Sequence, residues 1–283
     1  MEIRPAADLL CDVLKLSAIY PISLVMDQKT ADASIHSAMK IPAVSALYLA
    51  VDGRSPITIR PTNAATWGST TTTSGTVIDV AKTNHPTESL FHELLHADLK
   101  LNGYLQHLTF VRISQETIVQ SLAGALDNEL QHHRMFKEFV DAGFSPELFY
   151  NDEDDQTYID IRKELKRTNP KKCSAASYFL QYLSVIAPGG AGGEEKRKQL
   201  ENLFRAKVPK DKMKQLDEAA IELINWGTLT AIDPGPTIVK ILESLGPFDG
   251  WWIGTSQNFP DDGYFTGSSF TPVDANRYAR ANP

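Results

Sequence analysis

Residues 86 to 102 read Pro86-Thr87-Glu88-Ser89-Leu90-Phe91-His92-Glu93-Leu94-Leu95-His96-Ala97-Asp98-Leu99-Lys100-Leu101-Asn102. Pro86 suits a first helical turn, Thr87 or Asn84 can cap it, and Glu88 suits the positive end of the helix dipole. Asn102-Gly103 is a stop signal, so a helix is predicted over 86–102. Leu90, Phe91, Leu94, Leu95 and Leu99 surround His92, Glu93 and His96. A helix so apolar is largely buried, and its polar groups then need partners.

On a helix, positions four apart lie on one face, one turn above the other. His92 and His96 have that spacing, and two imidazoles so placed can bind one Zn²⁺ at about 2.0–2.1 Å each. Glu93, beside the first of them, can reach a water in the open coordination position, as a general base does. The competing reading is a core helix whose three polar residues are satisfied by hydrogen bonds.

The pentapeptide His92-Glu93-Leu94-Leu95-His96 resembles the HExxH motif of the zincin metallopeptidases. The resemblance covers those five residues and an order of sheet, motif helix, second helix. It implies a Zn²⁺ site on the motif helix, a sheet forming one wall of a substrate cleft, and cleavage of a peptide or protein substrate by metal-activated water with Glu93 as general base. The metzincin extension fails, because Leu99 and Asn102 stand where that branch has Gly and His. The gluzincins take their third ligand, a Glu, from a following helix. Here a helix is predicted over 114–142, with Ile118, Leu122, Leu126, Leu130, Phe136 and Val140 as its apolar stripe. Glu129 falls on that stripe, where a carboxylate is expensive unless paired or metal-bound. Asn128-Glu129 resembles the gluzincin third-ligand helix, so Glu129 is the expected third ligand. His132 and His133 are rivals. His133, on Glu129's face, can instead donate to a substrate carbonyl. Departures are the 33-residue gap from His96 to Glu129 and the histidine at position 133. Asp233, at the end of Gly227-Thr228-Leu229-Thr230-Ala231-Ile232-Asp233, is a more distant alternative.

Upstream, Val44 to Val51 ending at Asp52-Gly53, Ile57-Thr58-Ile59 and Thr76 to Val80 are predicted strands, the first two a hairpin, with 62–75 an exposed loop. Residues 6–18 carry a helical pattern. Downstream, helices are predicted at 156–167, 174–187, 195–206, 210–225 and 236–245. Pro188 to Gly193 reads as a linker. The fold expectation is α+β, helix-dominated and zincin-like. Residues 1–187 form a catalytic domain with a small sheet against the motif helix, and 194–283 a helical subdomain. The tail 246–283 has little periodicity but many aromatics, so it is expected to pack across the surface and border the cleft. Within it, Tyr264 is a candidate to point at the metal-bound water, and Tyr104 and Tyr264 are candidates to stabilise the tetrahedral oxyanion. Asp98 is a candidate acceptor for a ligand imidazole, His85 and His107 are candidate orienting groups, and Trp251-Trp252 are expected in the core.

With 42% hydrophobic and 22% charged residues, the 283-residue chain has the composition of a soluble globular protein, which excludes collagen-like and low-complexity classes. A net charge of −7 argues against a globally basic nucleic-acid binder. Residues 162–214 nevertheless hold 14 basic and 5 acidic residues, a face for an acidic partner or simply solvated helices. No apolar run approaches the ~20 residues of a membrane span. The first residues lack a secretory pattern, so a cytoplasmic protein is expected, with export by a signal-independent route left open. Cys11 and Cys173 cannot form a disulfide scaffold or a four-cysteine zinc site, and are expected as reduced, buried thiols. The alternative function is a catalytically inactive or structural-metal zincin scaffold acting as an interaction protein, with His92, His96, Glu129 and His133 closing the metal site.

Overall fold

The computed structural model describes residues 26–64, 66–111, 117–150, 154–168, 173–190, 193–248, 251–255, 263–266, 271 and 273. The helical pattern at 6–18 and Cys11 lie outside them. The architecture is α+β and helix-dominated. In chain order come α1 (Gln28–Ala38), α2 (Pro42–Asp52), β1 (Ile57–Pro61), β2 (Gly68–Thr72), β3 (Gly75–Val80) and α3 (Pro86–Leu101). Then follow β4 (Leu108–Val111), α4 (Thr117–Asp141), α5 (Asp154–Arg167), α6 (Ala175–Ile186), α7 (Glu194–Lys207), α8 (Lys210–Trp226), α9 (Gly235–Leu245), β5 (Trp251–Gly254) and β6 (Tyr264–Thr266).

The motif helix and the helices from 154 onward lie where the periodicity places them. Two N-terminal expectations are corrected. Residues 44–51 are not a strand but most of α2. Pro42 occupies its first turn, and Ala43, Ala46, Leu47, Leu49 and Ala50 are good helix formers that outweigh the few β-branched positions. Val44 and Val51, seven apart, are its buried face. Asp52 makes no hairpin turn; its carboxylate accepts from Ile57 N at 2.8 Å. The 62–75 segment is not a bare loop either, because β2 lies inside it. Threonine favours extended backbone, and the hydroxyls of Thr71 and Thr76 bond across the strands at 3.1 Å. Gly75, at φ 149°, lets the turn close, since a Cβ there would meet the Pro56 carbonyl oxygen at 2.9 Å.

The first sheet has the order β1-β3-β2, with β1 parallel and β2 antiparallel to β3. The partner of β1 is therefore β3, with Ile57 opposite Thr76, and not residues 44–51. The helix α3 packs against α1, α2, α4 and β2. The cap of α3 is also corrected: its N-cap position is His85, without a side-chain cap hydrogen bond.

A second sheet, β4-β5-β6, joins the chain after the motif helix to the aromatic tail. Phe110 pairs with Trp252 in register, and Trp252 and Ile253 are fully buried. The described tail strands β5 and β6 thus pack, and pairing with β4 carries them toward α4 and α9.

Among the described residues, two hydrophobic clusters organise the fold. One gathers α1, α2, β3 and α3 with Met135, Phe139 and Phe149. The other runs from Tyr104 through α4, α6, α7, α8 and α9 to Ile253. It spans the 188–193 segment, so that stretch does not separate two cores. The seam instead follows α4, whose Leu122, Leu126 and Leu130 enter one cluster and whose Phe139 enters the other. Cys173 is a buried thiol. In the basic stretch, Arg197 pairs with Glu194, and Arg205 with Glu201 and Asp217. No single described helix is long and apolar enough to cross a membrane.

Leu94 is fully buried on α3 between the site residues. Leu94→Ala is expected to lower stability by about 2–5 kcal/mol, read as a shifted midpoint in denaturant unfolding.

Candidate metal centre

The face of α3 carrying His92, Glu93 and His96 opens onto a cavity of about 680 Å³ at the seam between the two clusters. That volume suits a ligand bound in a cleft. Trp67 and Ser69 line it from β2 and its approach, Asn128 and His132 from α4, and Leu180 and Leu183 from α6. The Trp67 indole N–H donates to the Ala81 carbonyl at 2.8 Å, which pins the start of β2 over the cavity. The motif residues sit deep: Glu93 is 7% exposed and His96 8%.

His92, His96 and His132 each bring one ring nitrogen to within 4.8 Å of the others. The Nε2 atoms of His92 and His96 are 3.1 Å apart. The far sides of two rings are held. His96 Nδ1 meets Gln131 Oε1 at 3.0 Å. His132 Nδ1 lies 2.8 Å from the Tyr150 hydroxyl, which itself donates to Glu129 Oε2 at 2.7 Å. Both acceptors favour an Nδ1–H, and in His96 that form leaves Nε2, the atom facing His92, with a free lone pair. His92 Nδ1 is buried without a hydrogen bond of good geometry, although the Phe149 backbone is near enough to favour its charged form.

Burial dominates the proton equilibria. It holds His92 well below the usual histidine range, with neighbouring His96 and His132 adding to the effect. His96 is pushed down to about 3, first by burial and then by His132. Glu93 is pushed up to about 7 by burial, against a hydrogen bond from the Ser69 side chain. Asp127 is also raised by burial, opposed by donors from Tyr104 and His107 and by the charge of Lys100. Rings kept neutral in this way have lone pairs to offer a cation.

Several expectations change here. Glu129 is outside the group of three and stands behind His132, its Oε1 3.3 Å from Nδ1. His133 is turned away: it does not line the cavity, its neighbours are Ile186 and Gly227, and burial pushes its imidazole down to about 4. One residue step rotates a helical side chain by about 100°, so His132 and His133 cannot face the same cavity. The closed set of His92, His96, Glu129 and His133 is therefore not assembled. Tyr104 is occupied elsewhere, donating to Asp127 at 3.1 Å. Asp98 pairs with Arg54 and Asn102 rather than a ligand imidazole. His107 faces Asp233 and the Leu105 carbonyl. Tyr264 pairs with Ile253 through the backbone of β6, and its side chain lies outside the described residues. None of the described tail residues lines the cavity, where α6 contributes Leu180, Leu183 and Ser184; the rest of the tail lies outside the described residues.

No family model, curated protein or solved structure matches this chain. The geometry therefore carries the functional argument alone.

Sequence reasoning missed Tyr150, Gln131, Asp127 and Lys100, all of which line the cavity. A partial signal was present. Asp127 and Gln131 are polar residues four apart, immediately beside the buried Leu126 and Leu130. That pairing marks a polar strip adjoining the apolar one. Tyr150 lies beyond the helix, and no local pattern connects it to the site.

Proposed function

We propose that this chain is a zinc-dependent peptidase whose metal is held by His92, His96 and His132. The observation that carries the reading is the inward convergence of three imidazoles whose outer nitrogens are taken on two of the three. Two Nε2 lone pairs 3.1 Å apart repel unless a proton or a cation lies between them. A tetrahedral zinc with ligands at about 2.0–2.1 Å places neighbouring nitrogens about 3.3 Å apart, close to what these two rings already show. The donor set fits zinc, since neutral imidazoles suit it and three protein ligands are the usual complement of a catalytic site.

When bound, zinc supplies a Lewis acid that polarises a carbonyl and acidifies water. The rest falls to the chain. Glu93 takes a proton from the attacking water as its oxygen adds to the carbonyl carbon, and returns it to the amine as the C–N bond breaks. The Ser69 hydroxyl orients the Glu93 carboxylate. Gln131 and the Tyr150–Glu129 pair hold His96 and His132 by their outer nitrogens. The apolar wall of Ile161, Leu180 and Leu183 excludes water and receives substrate side chains, while β2 flanks the opposite side. The order of sheet, motif helix and second helix supports a zincin-like arrangement, with His132 in the place where gluzincins have Glu.

Metal analysis of the purified chain is expected to find about one equivalent of zinc, as a three-ligand site requires. A chelator should remove it together with hydrolysis of a mixed peptide library, and added zinc should restore both. Zinc below about 0.1 equivalent under loading conditions would overturn the proposal.

A further inference from the structure

Behind Gln131, which holds His96, a buried polar chain continues to residues that the proposed reaction does not itself use. Gln131 Oε1 faces His96 Nδ1 at 3.0 Å, and Gln131 Nε2 donates to Asp127 Oδ2 at 3.0 Å. Asp127 and Gln131 are one turn apart on α4 and are 5% and 4% exposed. The other oxygen of Asp127 accepts from the Tyr104 hydroxyl at 3.1 Å. The His107 backbone N–H also donates to the Asp127 carboxylate. Tyr104 and His107 belong to the short segment that follows α3, so the far end of the chain is tied to the helix that carries His96.

A side-chain amide is ambiguous by itself, because either its oxygen or its nitrogen can face an imidazole. A carboxylate is not ambiguous, because it only accepts. Asp127 Oδ2 at 3.0 Å, with the Asp127 backbone carbonyl more distant at 3.3 Å, therefore turns the Gln131 NH₂ toward Asp127 and the Gln131 carbonyl toward His96. A carbonyl at Nδ1 selects the Nδ1–H form and leaves Nε2 bare. We infer that Asp127, acting through the Gln131 amide, is a positioning residue that sets the tautomer of His96. The consequence for zinc rests on the metal reading above; the tautomer itself does not.

The inference specifies the effect of reversing the relay. In Asp127→Asn the new amide can present its NH₂, the Gln131 amide turns over, and its nitrogen then faces His96. That selects the Nε2–H form and blocks the inward lone pair. Adding Gln131→Glu should restore the original order, because the carboxylate accepts both from His96 Nδ1–H and from the side-chain amide that Asp127→Asn introduces.

The test is imidazole ¹⁵N NMR on the metal-free full-length chain, with zinc affinity measured in parallel by chelator competition. The native chain should show His96 as the Nδ1–H tautomer, and Asp127→Asn should move it toward Nε2–H with zinc bound about 10–100-fold more weakly. The double variant should regain the native tautomer and most of the affinity. A lost packing contact would not be repaired by a second polar change in this way. Gln131→Met, of similar length but without an acceptor, provides a second variant that should also lose the Nδ1–H preference. An unchanged tautomer in Asp127→Asn and Gln131→Met, or no recovery in the folded double variant, overturns the inference. A native chain that takes no zinc, yet shifts tautomer as described, sustains the relay and removes the metal reading.

Discussion

Glu93→Gln is expected to leave zinc bound and to lower peptide hydrolysis by about 10³–10⁴-fold, toward the upper end of what a positioned general base supplies. Gln has the same length and can keep a hydrogen bond to the Ser69 hydroxyl, but its amide cannot take a proton from water. The substitution should not unfold the chain. Glu93 is deeply buried, and a neutral amide is easier to bury than a carboxylate. Zinc content, melting temperature and single-turnover hydrolysis measured on one preparation separate these effects. Near-native hydrolysis with full zinc occupancy would remove Glu93 from the role of base, and loss of zinc would point to a role in holding the metal.

A comparison of His132→Ala with Glu129→Gln should decide the third ligand. His132→Ala removes one of the three converging nitrogens and is expected to weaken zinc by more than about 100-fold, beyond the roughly 10–100-fold typical of an outer partner. Glu129→Gln alters only the group behind His132, where Tyr150 still offers its hydroxyl oxygen to Nδ1. It should stay within that outer-partner range. The order of the two affinities is the result to read. If Glu129→Gln loses more zinc than His132→Ala, α4 presents the carboxylate to the metal and the three-histidine centre is wrong.

The motif helix was legible because everything that defines it is local. Pro86 at the start, Asn102-Gly103 at the end and leucines around the ring need no distant partner to be recognised. Glu129 illustrates the opposite case. Its place on an apolar stripe signalled a carboxylate with partners, and the structure makes it partly buried, with Tyr150 and His132 as those partners. The strand reading of 44–51 failed for a different reason. A short apolar run fits a buried strand or a buried helix equally well, and here Pro42 and the alanines and leucines that follow it tip the balance to a helix, which packs on α3. The tail was too aromatic to be left in solvent, yet nothing local to it named β4 as its neighbour.

By itself the sequence determined a helix-dominated α+β chain, two histidines one helical turn apart with a glutamate beside the first, and a second long helix with polar residues along its buried side. Those features follow from side-chain periodicity and spacing, which act over a few residues. Tertiary structure alone decided which residue of α4 completes the site. His132 and His133 straddle Glu129 by about 60° and 40° around the helix axis, so a rotation of α4 of about 100° exchanges them. That rotation is set by distant contacts. Leu122, Leu126 and Leu130 pack into one cluster and Phe139 into the other, which leaves His132 facing the histidine pair and His133 turned toward Gly227.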